Sequence, residues 1–259
     1  MLELLRKVKI IQIDNGIKTE IEDTVVSEYY LTLFINGRKQ VTFSCIPEYL
    51  EELVLGYLIS EGIVDEISEV EDIKVSADEC KAEVKLKKDL RFQVEEESDF
   101  TYGRQHADYN AGIVQRRRLK CLEDSCSFSI AEILRQFERF SQESQMYKKT
   151  HAVHRAVLCK GDEVLCAAND VSRHNTIDKV VGMASKRQIE LSQCYLITSG
   201  RVPKDIAAKA IRSGIQMLVA RSVATYEAIE LARRCNLTLV GRVGDGRMKI
   251  YSGVQRLTD

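Results

Sequence analysis

The last third of the chain alternates short apolar runs with amphipathic ones, and this rhythm restricts the fold more than any other feature. Residues 194–198 read as a strand, 203–213 as a helix closed by Gly214, and 217–220 as a strand. Residues 225–234 read as a helix with Asn236 after it, and 237–240 as another strand. Strands joined through helices of this length run parallel and cross over right-handed, which predicts an α/β sheet covered by helices. A glycine-rich turn and a final strand over 248–251 follow.

Upstream, Ser129 and Glu132 fit a capping box, and Ile130, Ile133, Leu134 and Phe137 give the helix behind it one apolar face. A hairpin is predicted over 152–158 and 164–168, then a polar loop over 169–175 and a helix over 176–184. The first 95 residues read as strands around one helix. Residues 29–35 and 38–44 flank Asn36-Gly37, a type I′ hairpin signal. Pro47 opens a helix over 48–61 that stops at Gly62, and 72–75 and 82–86 alternate in polarity as strands do. Residues 95–125 are polar and aperiodic, with an arginine run at Arg116, Arg117 and Arg118; loops of this length are functional or disordered. The expected organisation is a smaller α+β domain (1–95), a long polar loop (96–128) carrying Cys121 and Cys126, and an α/β domain (129–259).

Composition narrows the function. The chain's 259 residues, 44% of them hydrophobic, suffice for such a core. A net charge of -1 gives no global bias toward nucleic acid or a membrane surface. No apolar run approaches the ~20 residues of a membrane helix. Residues 1–7 lack the basic, apolar and small-residue regions of a signal peptide, so the expected location is the cytoplasm. The eight cysteines form no Cys-x-x-Cys pair, which in a reducing cytosol argues against a disulfide scaffold. Cys159, Cys166 and Cys194 sit in apolar runs as small buried hydrophobes do, whereas Cys121 and Cys126 lie in polar sequence.

Open α/β sheets bind ligands beyond the carboxyl ends of their strands. Three segments emerge there: Ser199, Gly200 and Arg201; Arg221 and Ser222 through Thr225; and Gly241, Arg242, Val243, Gly244, Asp245, Gly246 and Arg247. The first two run into helix N-termini, where free N–H groups and the helix dipole favour an anion, and each segment carries an arginine suited to phosphate. Solvated arginines beside ordinary turns would look the same. Cys126 lies just before the Ser129 capping box, where a helix N-terminus is expected to lower a thiol pKa and favour nucleophilic or sulfur-carrying chemistry; an unremarkable exposed cysteine is the alternative. Asp170, Ser172, Arg173, His174 and Asn175 crowd hydrogen-bonding groups into one loop, as a ligand site or as structural polar residues. His151 and His154 have no cysteine at ligand spacing, so no zinc or other metal site is expected.

Together these segments resemble the formate dehydrogenase accessory sulfurtransferase family, FdhD. Residues 170–179, Asp-Val-Ser-Arg-His-Asn-Thr-Ile-Asp-Lys, look like its Asp-Val-Gly-Arg-His-Asn-x-x-Asp-Lys signature. Residues 198–201 resemble its Thr-Ser-Gly-Arg, and 241–251 its C-terminal Gly-Phe-x-Arg-x-x-Arg-x-x-x-Tyr element. Asn36-Gly37-Arg38 and residues 56–62 match in order and spacing, so the similarity covers nearly the whole chain. The resemblance implies a cytidine deaminase-like three-layer core without zinc chemistry; the deaminase His-x-Glu and Pro-Cys-x-x-Cys motifs are absent. It implies a homodimer that takes sulfur from a cysteine desulfurase as a cysteine persulfide. The sulfur then passes to a molybdenum or tungsten bis-guanine-dinucleotide cofactor bound for formate dehydrogenase, and GDP is the expected mimic of that ligand.

The departures are specific. Where the family carries Cys-Gly-x-Cys-Gly, this chain has Ser125-Cys126-Ser127-Phe128-Ser129, so Cys126 takes the first cysteine position and Ser129 the second. A serine cannot carry or resolve a persulfide, which leaves Cys121 as a second-thiol candidate. Asn169 replaces Glu, Ser172 Gly, Ala224 Pro, Arg242 Phe and Gly244 Arg, while Arg247 is retained. Two functions remain: a sulfur carrier with its persulfide on Cys126, or a divergent chaperone that holds the guanine dinucleotide cofactor without transferring sulfur.

Overall fold

In the computed structural model of the chain, residues 3–87 and 119–259 are described; Arg116–Arg118 and most of the expected polar loop lie outside them. Two hairpins come first. β1 (Leu5–Asp14) and β2 (Ile17–Val26) pair antiparallel as a separate two-stranded ladder. The sequence pattern does not announce it, because charged and apolar residues share each face, as Lys9 and Ile11 do. β3 (Tyr29–Ile35) and β4 (Arg38–Cys45) meet as expected at Asn36 and Gly37, whose φ values of 47° and 77° suit a type I′ turn. After α1 (Leu50–Ser60), β5 (Val70–Ser76) and β6 (Lys81–Leu86) complete a four-stranded sheet in the order β4-β3-β6-β5.

The second half builds from β7 (Phe128–Ser129), α2 (Ile130–Glu143), a short unforeseen α3 (Gln145–Thr150), β8 (His154–Lys160), β9 (Glu163–Asp170) and α4 (Arg173–Lys186). Then come β10 (Tyr195–Thr198), α5 (Lys204–Arg212), β11 (Met217–Ala220), α6 (Tyr226–Arg234), β12 (Thr238–Gly244), β13 (Arg247–Ser252) and β14 (Leu257–Thr258). The six-stranded sheet runs β13-β12-β11-β10-β8-β9. Only its centre, β10–β12, is parallel; β8, β9 and β13 join antiparallel, so the expected parallel run β10–β12 is present within a sheet that is mixed as a whole.

Period-two alternation splits the sheet residues between two helical layers. Leu196, Leu218 and Leu239 pack in the core that includes residues of α4, α5 and α6, while Tyr195, Ile197, Val219 and Val240 cluster with Ile133, Phe137 and Phe140 of α2. The first core continues into the N-terminal half through Leu31 and Leu33 of β3 and Leu53 of α1.

The joint between the two halves is α1 against α4. A Cβ on Gly56 would lie 1.6 Å from the Asp178 carbonyl oxygen, and one on Gly182 2.0 Å from that of Glu52, so only glycine allows this approach. Buried polar groups lock it. The Ser60 hydroxyl donates to Asp178 Oδ1 (2.6 Å), and Lys209 Nζ bridges Asp178 (2.8 Å) and Glu61 (2.7 Å). Lys179 pairs with Asp170 (2.6 Å) and donates to Ile46 O (3.1 Å). A buried charge with its partner removed is strongly destabilising, so each of these lysines needs its carboxylate. Among the described residues, no helix is long and apolar enough to cross a membrane.

Candidate functional site

Because β10, β11 and β12 are parallel neighbours, the segments after them open on one edge of the sheet. β8 runs against β10 with Ala156 opposite Thr198, so His154 and Arg155 begin at that same edge. β9 ends there with Asp170 opposite His154, and the first turn of α4 follows. Every predicted ligand segment therefore converges, and the fold adds His154, Arg155 and Asp205. The sequence did not show these three, because the antiparallel register of β8 that delivers the first two is not a local property.

The segments are bound to one another. Ser199 Oγ accepts from the Arg155 amide (3.0 Å) and faces His154 Nδ1 (3.4 Å), while Ser199 N donates to Arg155 O (3.0 Å). Arg242 N donates to Ser222 O (2.8 Å). A Cβ on Gly200 would sit 3.2 Å from the Arg173 stem, and one on Gly241 2.8 Å from both Ser222 O and the Tyr251 ring. These glycines let neighbouring segments close up.

Two expected loops are shorter than the sequence suggests. The helix predicted from residue 176 starts at Arg173, so Arg173, His174 and Asn175 form its first turn. β12 continues to Gly244 through an irregular register, leaving Asp245 and Gly246 as the turn, both at positive φ.

The predicted ligand residues divide by orientation. Arg201, Arg221, Thr225, Arg242, Asp245, Gly246 and Arg247 are exposed, and Ser199, Arg173, His174, Ser222 and Gly244 are partly so. Thr225 also caps α6 by accepting from Ala228 N (3.4 Å), and Val243 is buried against the α2 layer. Asp170 and Asn175 turn inward. Asp170 accepts from the Ile46 (3.2 Å) and Ser172 (3.0 Å) amides, and Asn175 Nδ2 donates to Ser44 O (2.7 Å). They shape the edge from beneath.

Electrostatics mark this edge as cationic. Burial, then the nearby Arg173 and His174, depress the His154 pKa below its ordinary value. His174 Nε2 lies 2.8 Å from Asp205 Oδ2. Burial alone would raise the Asp205 carboxyl, but the His174 hydrogen bond and charge, the Ile206 amide and Arg173 outweigh it and hold it low. Arg173 Nε is buried with no partner among the described residues. Guanidinium groups gathered on segments of one sheet edge suit phosphate oxygens.

Cys126 lies at the other end of the strands. Its segment is tied to their beginnings: Leu122 N donates to Cys235 O (2.9 Å), Asn236 Nδ2 to Leu122 O (3.0 Å), and Gln193 Nε2 to Ser125 O (3.5 Å). The four-residue β10 separates the two ends by roughly 13 Å. The expected lowering of the Cys126 pKa by a helix N-terminus does not occur. The thiol is half-buried against the α2-side core, and burial pushes it up, with Arg256 pulling the other way. Ser129 caps α2 by accepting from Glu132 N (3.4 Å). Cys121, exposed, donates its Sγ–H to Arg234 O (3.3 Å) at the end of α6. Cys159, Cys166 and Cys194 are buried, as expected.

The class defined here is a mixed α/β protein with an arginine-rich loop edge and a separate thiol edge. The FdhD/NarQ family profile matches residues 26–258, and the chain belongs to that family. The sulfur carrier protein FdhD of Listeria innocua is 31% identical over 99% of this chain and 100% of its own. The protein of that name from Bacillus pumilus is 32% identical over 92% and 91%. A crystal structure from Desulfotalea psychrophila, of a protein described as a formate dehydrogenase accessory protein, shares the fold, with a TM-score of 0.79 at 23% identity over 99% of this chain and 100% of its own.

Proposed function

We propose that this chain is a cytoplasmic sulfur carrier of formate dehydrogenase maturation, with its persulfide on Cys126. The observation that carries the reading is the half-buried Cys126 in a tethered segment ahead of α2, in a chain alignable end to end with proteins named sulfur carriers. The Cys126 thiolate attacks the outer sulfur of a cysteine desulfurase persulfide. A new S–S bond forms on Cys126, the donor S–S bond breaks, and its electron pair leaves on the donor cysteine as thiolate. No external oxidant or reductant enters.

The cargo is a molybdenum or tungsten bis-guanine-dinucleotide cofactor, a substrate of the carrier. The reading for its phosphates is supported by the edge where Arg201, Arg221, Arg242 and Arg247 are exposed and Arg173 Nε has no partner among the described residues. Ser199 and Ser222 flank that edge, and the turn at Asp245 and Gly246 beside it is exposed; a nucleotide such as GDP is the expected mimic of the cargo. We further propose a cytidine deaminase-like core used without zinc, and a homodimer.

Ser129 motivates a second reading. Its hydroxyl caps a helix and supplies no second thiol, which suits a chaperone that holds the cofactor without transferring sulfur. Intact-mass and peptide mapping after incubation with a cysteine desulfurase and cysteine separates the two. The carrier gains one reducible sulfur atom on the Cys126 peptide, and Cys126→Ala loses it while keeping GDP binding. A protein that binds GDP but takes up no sulfur is the chaperone.

A further inference from the structure

The tail after β13 returns to the thiol edge. A single turn, Val254–Arg256, brings the tail under the cysteine segment, and β14 then pairs with β7, Leu257 opposite Phe128 and Thr258 opposite Ser129. Arg256 is only 1% exposed. Its Nη1 donates to Asn236 O (2.7 Å) and Thr238 Oγ1 (3.2 Å). Its Nη2 donates to Glu123 O (3.2 Å) and lies 2.7 Å from the Asp124 carboxylate. Nε is buried with no partner among the described residues. Cys126 is thus bracketed, with Arg256 gripping Glu123 and Asp124 before it and β14 gripping Phe128 and Ser129 after it.

Burying a guanidinium is costly, and the carboxylate paired with Arg256 among the described residues belongs to the exposed Asp124. A fixed cation with a donor to spare suits a neighbour that becomes negative during its work. The sulfur of a carrier does so twice, as the attacking thiolate and as the loaded perthiolate. We propose that Arg256 is a positioning residue of the sulfur carrier, fixing the Cys126 segment and stabilising the negative charge on its sulfur. This rests on Cys126 being the carrier. The opposing pulls of burial and of Arg256 on the thiol agree with it.

The test is the pH profile of iodoacetamide alkylation of Cys126 in the full chain, followed by peptide mapping. Arg256→Gln is expected to move the midpoint up by about one pH unit, and Arg256→Lys, which keeps a cation, to recover most of that shift. Asp124→Asn removes the acid beside both groups and moves the midpoint down. It is the deciding variant if Arg256→Gln does not fold. An unchanged midpoint in folded Arg256→Gln, or in Asp124→Asn where Arg256→Gln fails to fold, overturns the proposal. Desulfurase loading of the wild type is read separately: no sulfur on Cys126 sinks the carrier reading, while the alkylation shift still reports whether Arg256 and Cys126 are coupled.

Discussion

At the loop edge of the six-stranded sheet Arg201, Arg221, Arg242 and Arg247 reach solvent; at the thiol edge Arg256 is buried and the described segments on either side of Cys126 are tied down. The loop edge rests on contacts between loops, Ser199 to Arg155 and Arg242 to Ser222, while the side chains of Arg201, Arg221, Arg242 and Arg247 are exposed. The thiol edge turns its polar groups inward, with Arg256, Asn236 and Gln193 all serving carbonyls or a carboxylate of the chain itself. In the proposed function one edge meets a large anion and the other holds one small nucleophile still. Their separation by the length of the strands makes sulfur loading and cofactor holding independently testable.

The largest effect that would sharpen this contrast comes from the joint behind the loop edge. Gly182→Ala forces a methyl against the Glu52 carbonyl and is expected to cost about 3 kcal/mol in denaturant unfolding. Because α4 carries Arg173 and His174 but no residue tied to the cysteine segment, GDP affinity should fall with it. Cys126 alkylation in the folded protein should not change, and a joint change would break the division between edges.

Next in size, Arg247→Ala removes one charge-assisted contact of about 1.5 kcal/mol, roughly tenfold in GDP dissociation constant by calorimetry, with persulfide loading unaltered. An unchanged affinity removes Arg247 from the anion site.

The smallest effect is His154→Gln. The folded pKa of His154 lies below its unfolded value of about 6.5, so the folded state binds fewer protons. Stability is therefore full above that pH and declines as pH falls through it. The variant should lose less melting temperature between pH 7.5 and 5.5 than the wild type does; an equal loss places the pH sensitivity elsewhere.

Much of the fold was legible because its signals are local. Asn36-Gly37 specifies its turn by backbone chemistry alone, and residues 217–220 read as a strand bounded as Met217–Ala220 is. What failed was nonlocal or irregular. Ser172, a favoured N-cap residue, stands directly before Arg173, but the polar run over 172–175 hid the helix start because it carries no apolar periodicity. The positive φ of Arg242 and the shift in register hid the outer half of β12. The convergence of the loops followed from parallel strand order, which alternation does reveal. The inward turn of Asp170 and Asn175 depends on partners near residue 45, and the burial of Arg256 on a segment near residue 124. A charged residue reads as exposed until its distant partner is known.

The polar ties between α4 and the N-terminal half also set a schedule for synthesis. Ile46 meets Asp170 only 124 residues later, and Ser60 meets Asp178 after 118. At ribosomal rates of ~5–20 residues per second, the Ile46 amide waits roughly 6–25 s for its acceptor. Throughout that interval the apolar residues of α1 that pack on α4 have no partner helix, so the two halves close on each other only late in synthesis.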